Sequence, residues 1–479
     1  MQRYQYLKKH LPKNRFARNV SILAGGTAMG QGIIILTSPL LTRLYSPEDF
    51  GLLAVYSSLL GIIGVIVSFR YQLAIPLPEA DEEAANVVVL SLLMVLGVCL
   101  FTGIIIFFWG QHIADLVNSP ALAGYLWLLP VGLLPLGIYQ VFNYWAIRTS
   151  SFSAIAKTKL SQSLGMVIVQ LAGYMLGPVA LLVGRVLGHA AGTASLGMLA
   201  VRERWEVFRS VRTEGVIRAA RKYKRFPIYS TWEGVFNTAG MQLPPLLFAA
   251  LFNASAAGIY MIAHRVLALP ATLIGRAVAD VFFSRASEER RNGNLASLVV
   301  DIHEKLANLA IPLAIVLIFA GPDMFTLVFG SEWRQAGYFA QWMAPWMCLV
   351  FIASPLSTLF AVLERQTQGM VFQAILLATR VCSLLVGALY NDIRLAIALF
   401  ATGSALCWLS FLVWVFRVTG NNVCLLLISN LKALAWSILL VSPLALFYSL
   451  GCTSILWLPA LTLSFVLVAG RYAFLLKKA

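Results

Sequence analysis

One stretch of the chain decides the fold: Gly258-Ile-Tyr-Met-Ile-Ala-His-Arg265-Val-Leu-Ala-Leu-Pro-Ala-Thr-Leu-Ile-Gly-Arg276-Ala-Val-Ala-Asp-Val-Phe-Phe283. It is longer than the about 20 apolar residues that an α-helix needs to cross the hydrocarbon core of a bilayer, yet it carries two arginines. A guanidinium group stays charged, so at membrane depth it must face water, a counter-charge or an anionic ligand. The stretch therefore predicts a membrane helix whose arginines contact something negatively charged.

Similar apolar segments recur along the whole chain. Hydrophobic residues make up 59% of it, whereas soluble globular proteins contain about 45–50%. We identify about fourteen segments of membrane length, rich in Leu, Ala and Gly and without the alternation of a β-barrel. They lie near residues 19–42, 51–75, 85–109, 122–147, 160–177, 178–201, 228–251, 256–283, 305–320, 338–363, 369–390, 393–416, 431–450 and 455–475. The composition predicts an all-α polytopic membrane protein with about 14 transmembrane helices.

The formal net charge of +16 has an uneven distribution along the chain. Basic residues concentrate in the N-terminal tail, in the loop 202–227 and in every second loop after it. Only Arg43, Arg334 and Arg394 fall on the opposite side of the predicted membrane. Because cytoplasmic loops carry the excess of Lys and Arg, both termini are predicted to be cytoplasmic. This topology accounts for the charge without a nucleic acid partner.

The basic loop 202–227 divides the chain into two lobes of about six spans each. We predict an N-terminal lobe at 1–210, a C-terminal lobe at 211–417 and an additional helix hairpin at 418–479. Three residues of the first lobe recur in the second at offsets of 206 to 207 residues: Pro39, Gly51 and Arg70 correspond to Pro245, Gly258 and Arg276. These matches predict parallel repeats about an axis normal to the membrane.

Two glycine-rich stripes predict close helix packing. One is Gly184-xxx-Gly188-xxx-Gly192, and the other is Gly25-Gly26-Thr-Ala-Met-Gly30-Gln-Gly32. The second stripe superficially resembles a phosphate-binding loop, but no strand precedes it and no Lys-Ser/Thr pair follows it. Helix packing is therefore the favoured interpretation of both stripes.

Sequence signatures of catalysis are missing from the chain. It contains no HExxH, GxSxG or Walker motif, and none of its five histidines has another histidine or a cysteine three or four residues away. Its six cysteines stand singly in or beside apolar segments and form no CxxC pair. We therefore expect no enzymatic activity, no metal site and no cofactor.

Five arginines lie inside predicted spans and are the candidate substrate-binding residues: Arg265, Arg185, Arg70, Arg276 and Arg380. If they line one cavity, they form a cationic column that binds an anionic head group through charge-assisted hydrogen bonds. The alternative for Arg70 and Arg276 is that their side chains extend to the cytoplasmic interface. Arg265 is the strongest candidate because it lies about seven residues from the nearer end of its span.

Only two acidic residues lie within predicted spans. Glu233 and Asp280 both fall near a cytoplasmic end, where either of them can neutralise Arg276. One interpretation is a structural ion pair. The other is a coupling site for protons or sodium ions, which membrane carboxylates commonly supply.

Several motifs resemble landmarks of the bacterial polysaccharide flippases. They are Pro39-Leu-Leu-Thr-Arg43-Leu-Tyr-Ser-Pro47-Glu-Asp-Phe-Gly51, Arg70-Tyr-Gln-Leu-Ala-Ile-Pro-Leu-Pro78, Tyr144-Trp-Ala-Ile-Arg148 with Lys157 and Gln162, and Phe329-Gly-Ser-Glu-Trp333-Arg-Gln-Ala-Gly337. The resemblance covers about residues 15–420. It is to the O-antigen and exopolysaccharide flippases of the multidrug/oligosaccharidyl-lipid/polysaccharide exporter superfamily.

This resemblance implies two six-helix lobes in a V around a central cavity that contains arginines. It also implies a bacterial inner-membrane protein that moves undecaprenyl-diphosphate-linked oligosaccharide to the periplasmic leaflet by alternating access, alongside glycosyltransferases and a polysaccharide polymerase. The additional C-terminal hairpin departs from the commonest twelve-helix form. Two alternatives stay open: a cation-coupled drug antiporter of the same superfamily, which is expected to have a cavity dominated by acids, and a membrane scaffold without a hydrated cavity.

Overall fold

A computed structural model describes residues 15–449 and 457–478, and within these ranges the chain is helical and contains no strand. We number its α-helices in chain order. They are α1 Arg15–Leu44, α2 Pro47–Ile66, α3 Asp81–Leu116, α4 Leu128–Arg148, α5 Phe152–Ala172, α6 Pro178–Arg209, α7 Thr213–Lys222, α8 Thr231–Leu251, α9 Ala254–Leu267, α10 Arg276–Asn292, α11 Leu295–Phe329, α12 Arg334–Leu356, α13 Leu359–Val362, α14 Gln366–Leu389, α15 Ile393–Val418, α16 Val423–Ser449 and α17 Trp457–Lys478.

The helices confirm the predicted fold class. Every membrane segment expected from the sequence overlaps one of them. Nine helices in the described ranges are long and apolar enough to cross a membrane, among them the 36-residue α3 and the 35-residue α11. Since a helix satisfies its own backbone hydrogen bonds, it is the form that such apolar segments adopt in lipid. The chain is a polytopic all-α membrane protein.

Helix α2 begins at a capping box. The Ser46 hydroxyl accepts a hydrogen bond from the Asp49 amide at 3.2 Å, and the Asp49 carboxylate accepts one from the Ser46 amide at 3.0 Å. Pro47 occupies the first helical position, where a missing N–H costs nothing. Just before this cap, Tyr45 donates a hydrogen bond to the Gln170 carbonyl, and burial raises the pKa of Tyr45 to about 12. The hydroxyl therefore stays a donor at neutral pH.

The predicted span 256–283 is interrupted in the structure. Helix α9 ends at Leu267, a π-helical turn follows at Ala271–Gly275, and α10 begins at Arg276. Pro270 lies at the interruption, where it has no amide hydrogen to donate to the preceding turn. The apolar pattern predicted the segment correctly, and the proline divides it.

The chain divides into two compact units after Gly258. The first unit contains α1–α8 and the first turn of α9. In it α5 packs against α1 on one side and α6 on the other. A Cβ on Gly26 of α1 would lie 2.6 Å from the Ala156 Cβ of α5, and one on Gly188 of α6 would lie 2.9 Å from the Gln162 carbonyl. Both glycine stripes are thus packing surfaces, as predicted.

The second unit runs from Ile259 to the end of the described chain. Its C-terminal hairpin, α16 and α17, packs against α11 through an apolar cluster of Ile315, Val316, Ala320, Val441, Leu444 and Leu461. On α17, Arg471 donates to the Asn308 side chain at 2.9 Å and lies 4.7 Å from the centre of the Trp436 ring. The hairpin is therefore an integral part of this unit. The lobe boundaries near residues 210 and 417 stay predictions.

Candidate functional site

A polar cavity of about 210 Å³ lies inside the first unit, where α1, α5 and α6 meet. We call it the α1–α5–α6 cavity. Its lining residues are Thr27, Gly30, Gln31, Ile34, Lys159, Gln162, Ser163, Met166, Arg185, Gly188 and His189. None of these is acidic, although Arg185 and Lys159 both carry positive charge. The cavity is therefore cationic, and two of its three helices, α1 and α6, are long and apolar enough to cross a membrane.

The basic groups reach the cavity from two helices. Arg185 and His189 lie four residues apart on α6, so one face of that helix presents both side chains. Lys159 comes from α5, and its ammonium group also lies 4.9 Å from the centre of the Tyr139 ring. An aromatic face stabilises a cation partly but leaves its hydrogen-bond donors available.

Three buried nitrogen atoms in this cavity have no hydrogen-bond partner in the described part of the protein. They are Nε of Arg185, Nε2 of Gln162 and Nδ1 of His189. An unsatisfied buried polar group costs about 1–3 kcal/mol, and a charged one costs more, so such groups are rare in folded proteins. The residues that line this cavity thus combine positive charge with nitrogen groups and include no acid, and this composition favours an anionic ligand.

Lys159, Gln162 and His189 are not among the site residues predicted from the sequence. The predicted fifth span began at residue 160, which left Lys159 in a cytoplasmic loop, whereas α5 begins at Phe152. A signal was present in the spacing: Lys159 and Gln162 lie three residues apart, and His189 follows Arg185 by four. Each pair shares one face of a helix.

Arg70 lies outside this cavity, at the cytoplasmic end of α2 in the predicted topology. It adopts a left-handed backbone conformation with φ of 62° before the short 3₁₀ turn Tyr71–Ala74. Its guanidinium packs on α8, where a Cβ on Gly234 would lie 3.0 Å from the Arg70 Cζ. Its Nε is buried and has no partner among the described residues. Arg70 is therefore a cationic position of the first unit that is separate from the α1–α5–α6 cavity.

Arg380 lies in the second unit on a platform of aromatic rings. Its Cζ is 5.1 Å from the centre of the Trp346 ring and 5.6 Å from that of Phe400. Its Nε donates a hydrogen bond to the Ser404 hydroxyl at 3.3 Å. Tyr260 and His264 of α9 stack at 5.5 Å and complete the ring cluster. These contacts favour a structural role for Arg380 over the predicted contact with substrate.

The remaining predicted residues have less defined surroundings. Arg265 is partly buried near the C-terminal end of α9 and has an interaction partner, so its charge is not isolated. Glu233 is exposed on α8. The side chains of Arg276 and Asp280 lie outside the described part of the structure. The ion pair or coupling site predicted for these acids stays a prediction.

Outside the membrane helices, basic and acidic side chains pair around the start of α3. Arg148 donates to the Asp81 carboxylate at 3.0 Å, and Arg204 contacts the same carboxylate at 3.1 Å. Lys222 donates to Glu83 at 2.6 Å, and that hydrogen bond raises the pKa of Lys222. These pairs attach the ends of α4, α6 and α7 to α3.

Sequence comparisons match this chain to proteins of polysaccharide biosynthesis. A family model described as "Polysaccharide biosynthesis protein" matches residues 40–337. The teichuronic acid biosynthesis protein TuaB of Bacillus subtilis is 22% identical over 251 residues, 50% of this chain and 50% of that protein. The succinoglycan biosynthesis transport protein ExoT of Rhizobium meliloti is 23% identical over 315 residues, 64% of this chain and 60% of that protein. The chain thus spans about half to three fifths of these relatives.

Structural comparisons identify the fold. The lipid II flippase MurJ in an inward closed conformation superposes with a TM-score of 0.72 at 11% identity, covering 96% of this chain and 99% of that one. An inward-facing multidrug resistance MATE family transporter of the MOP superfamily gives 0.63 at 12% identity, covering 84% and 97%. At such low identity the likeness establishes the fold alone. In the described ranges, no group of three or more His, Cys, Asp or Glu side chains is placed to hold a metal ion.

Proposed function

This chain belongs to the family of polysaccharide biosynthesis proteins, and we propose that it is a flippase for lipid-linked oligosaccharides. Its proposed substrate is an undecaprenyl-diphosphate-linked repeat unit, moved by alternating access from the cytoplasmic to the periplasmic leaflet of a bacterial inner membrane. The transporter fold supports this proposal, as do relatives that serve teichuronic acid and succinoglycan biosynthesis. ExoT is a transport protein of succinoglycan biosynthesis, which supports movement of the substrate over its chemical modification.

The observation that carries the proposal is the acid-free cationic cavity in the first unit. A diphosphate is strongly hydrated in water, and its transfer into hydrocarbon is prohibitively costly without compensating charges. Arg185 and Lys159 supply positive charge, and the residues lining the cavity include three whose buried nitrogen atoms have no hydrogen-bond partner in the described part of the chain. Charge-assisted hydrogen bonds to phosphate are roughly twice as strong as neutral ones. A cation antiporter needs carboxylates in the same position, and this cavity has none among its lining residues.

The proposed orientation follows from the distribution of basic residues. Helix α6 ends at Arg209, Arg212 lies in the loop that follows, and α7 carries Arg218 and ends at Lys222. Cytoplasmic placement of these charges also places both termini in the cytoplasm. There, glycosyltransferases that build the repeat unit can deliver it, and a polymerase on the other side can use it. These enzymes are the proposed functional partners.

A reconstituted flipping experiment tests the proposed function. The purified protein is placed in liposomes with a fluorescent undecaprenyl-diphosphate oligosaccharide, and a membrane-impermeant quencher reports the leaflet that the label occupies. The native chain is expected to accelerate equilibration between leaflets, and Arg185→Gln to abolish the acceleration. Lys157→Gln is the matched control, because it removes one charge from an exposed position of α5 outside the cavity. Ion-coupled transport of a cationic drug without movement of the lipid would instead identify an antiporter.

Arg265 provides a test in cells. We propose that it contacts the diphosphate, so Arg265→Ala is expected to abolish surface polysaccharide in a strain that lacks the native gene. Immunoblotting of the membrane fraction must show normal amounts of the variant. Normal surface polysaccharide at a normal protein level would remove Arg265 from the substrate path.

A further inference from the structure

A second polar pocket lies in the second unit, where the starts of α12 and α15 meet. It measures about 540 Å³, within the range of about 300–1,000 Å³ that is usual for small-ligand pockets. We propose that this α12–α15 pocket binds sugar rings of a glycan. The exposed polar and aromatic side chains that line it are Glu332, Arg334, Gln335, Tyr338, Trp342 and Arg394. That the glycan is the one carried by the transported lipid rests on the proposed function.

Two exposed aromatic rings line the pocket. Gln335, Tyr338 and Trp342 are three and four residues apart, so they share one face of α12. Tyr338 is 45% exposed and Trp342 is 49% exposed, whereas Phe339 and Met343 beside them are buried. The C–H face of a sugar ring is apolar and stacks on such rings. The phenol O–H and the indole N–H can meanwhile form hydrogen bonds with sugar hydroxyls.

The polar side chains of the pocket include both donors and acceptors. The Glu332 carboxylate accepts hydrogen bonds, the Arg394 guanidinium donates them, and the Gln335 amide does both. A sugar hydroxyl also donates and accepts, so it matches this mixed lining. A phosphate group only accepts when it is ionised, and the Glu332 carboxylate repels it. The lining therefore favours a sugar over a phosphate group.

Arg394 lies at an unfavourable position for a cation. It is in the first turn of α15, where the partial positive charge of the helix N-terminus repels its guanidinium. The Asp392 side chain accepts hydrogen bonds from the amides of Arg394 and Leu395, at 2.8 and 3.2 Å, and so caps the helix. Within the described ranges, Arg394 forms no ion pair. Its guanidinium donors therefore remain available to a ligand in the pocket.

The start of α12 is held firmly against α11. Trp333, the last residue of the 3₁₀ turn before α12, is completely buried. Arg334 pairs with the Asp323 carboxylate of α11 at 3.0 Å. A Cβ on Gly337 would overlap the backbone of Pro322, so the two helices pack closely. A ligand therefore meets lining residues on a fixed helix start, which lowers the entropy cost of binding.

The predicted topology places the pocket on the side of the membrane opposite both termini. Arg334 and Arg394 are two of the three basic residues predicted on that side, and both line this pocket. Lys and Arg are scarce in such loops, so their convergence favours a role in binding. In the proposed direction of transport, the pocket lies where the glycan arrives, and it binds the glycan after translocation. The contrasting explanation is that the two rings anchor the protein at the membrane interface.

Saturation-transfer difference NMR on the purified full-length protein in nanodiscs tests the pocket. The probe is the oligosaccharide repeat unit obtained by partial hydrolysis of the surface polysaccharide of cells that carry this protein. We expect the native chain to bind it, with the strongest saturation at the C–H protons of a stacked sugar ring. Glycerol 3-phosphate, a model of an anionic lipid head group, is expected not to compete. Empty nanodiscs provide the blank.

Four variants locate the binding. Trp342→Ala and Arg394→Gln are each expected to weaken oligosaccharide binding roughly tenfold, because they remove a stacking face and a charged donor. Trp127→Ala and Arg43→Gln are the matched controls: they remove the same groups from exposed positions on the same predicted side but outside the pocket. Both controls should bind as the native chain does. A thermal unfolding midpoint near the native value confirms folding, and a variant of the pocket that fails this criterion is replaced by Tyr338→Ala.

The results separate this inference from the contrasting explanation and from the proposed function. Native affinity in both Trp342→Ala and Arg394→Gln overturns the glycan site, and equal losses of stability in Trp342→Ala and Trp127→Ala would then identify the rings as interface anchors. Competition by glycerol 3-phosphate overturns it in favour of a lipid head group. Flipping by a native chain that does not bind the oligosaccharide overturns the site alone. Oligosaccharide binding that Trp342→Ala weakens, without flipping of any lipid-linked glycan, supports the site and overturns the proposed function.

Discussion

Gly51 of α2 and Gly258 of α9 each lie against the first turn of the other's helix. A Cβ on Gly51 would overlap the carbonyl oxygen of Ala254, and one on Gly258 would overlap that of Pro47. Each glycine is the fifth residue of its helix, and both helices start at a side-chain cap, from Ser46 in α2 and from Asn253 in α9. The contact is reciprocal, as two equivalent surfaces produce when they pair. The glycines are also equivalent in the predicted sequence repeat.

Gly51→Ala is expected to destabilise the first unit. The methyl group has no room beside the Ala254 carbonyl, so the two helix starts must separate. Overpacking of this kind typically costs about 1–3 kcal/mol, which a lower thermal unfolding midpoint of the purified protein will report. Gly258→Ala is expected to have a similar effect because the contact is reciprocal.

Gly97→Ala and Gly240→Ala are the matched controls for this contact. Both glycines lie in helices, and an added Cβ on either would meet nothing within 4 Å. Alanine favours a helix over glycine by about 0.5–1 kcal/mol, so these variants should unfold at or slightly above the native midpoint. An unchanged midpoint for Gly51→Ala would show that the helix crossing adapts freely.

Arg148→Ala is expected to release the segment between α2 and α3. The partly buried Arg148 guanidinium donates to the Asp81 carboxylate at 3.0 Å and to the carbonyls of Pro78 and Glu79. Removing it takes the donor from the Pro78 carbonyl, at a cost of about 1–3 kcal/mol, whereas Asp81 keeps its contact with Arg204. Asp81→Asn should cost less, because the bonds to the carbonyls remain. Unfolding midpoints of the two variants test this order, and equal losses would contradict it.

Arg380→Met is expected to lower stability and to leave flipping per folded molecule nearly unchanged. The guanidinium contacts the Trp346 and Phe400 rings, and a cation–π contact away from water contributes about 2 kcal/mol. Arg380→Lys should be intermediate, since it keeps the charge but loses the planar stacking. Unfolding midpoints and liposome flipping rates are compared. Lost flipping at a native midpoint would instead place Arg380 in the substrate path.

The Lys222–Glu83 pair is expected to hold α7 on α3 equally well across the neutral pH range. The hydrogen bond between the two side chains raises the pKa of Lys222. The contribution of the pair to stability is therefore complete below the pKa of an ordinary lysine. It is lost only as the pH rises through the higher pKa that Lys222 has in the folded protein. Both values lie above about pH 10. Protection factors of the α7 amides from hydrogen exchange should therefore stay constant from about pH 6 to about pH 9.

Salt provides the contrasting condition for this pair. Both side chains are substantially exposed, so mobile ions screen their attraction. Protection of α7 should fall with added salt in the native chain and be low at every salt concentration in Lys222→Gln. A salt effect that persists undiminished in Lys222→Gln would assign the attachment of α7 to other contacts.

Much of the fold could be predicted because its signals are local. Each of these signals is contained in one short segment of the sequence. Examples are the apolar run of α3, the proline after α9 and the glycine spacing at Gly184, Gly188 and Gly192. The hydropathy of a segment decides whether it enters a membrane. Hydropathy can be read from the segment itself, without knowing which helices it contacts in the folded protein. The buried arginine at position 185 was predictable for the same reason.

The partners of these residues were not predictable from one sequence. Lys159 and Arg185 lie 26 positions apart and meet only because α5 and α6 pack face to face along glycines. Arg380 has the same sequence signature as Arg185, an arginine in an apolar helix, but packs on rings contributed by α12 and α15. Identical local patterns thus lead to different environments, because the environment is supplied by other helices.

The sequence by itself determined the class of this protein, its membrane helices and the presence of cations inside them, since these depend on the cost of transferring each residue into lipid. The tertiary structure alone decided which cations share a cavity, which of them rest on aromatic rings and where Gly51 meets the start of α9. These outcomes depend on the distances between helices that are remote in sequence. A side chain a few ångströms away changes the energy of a buried charge far more than its sequence neighbours do.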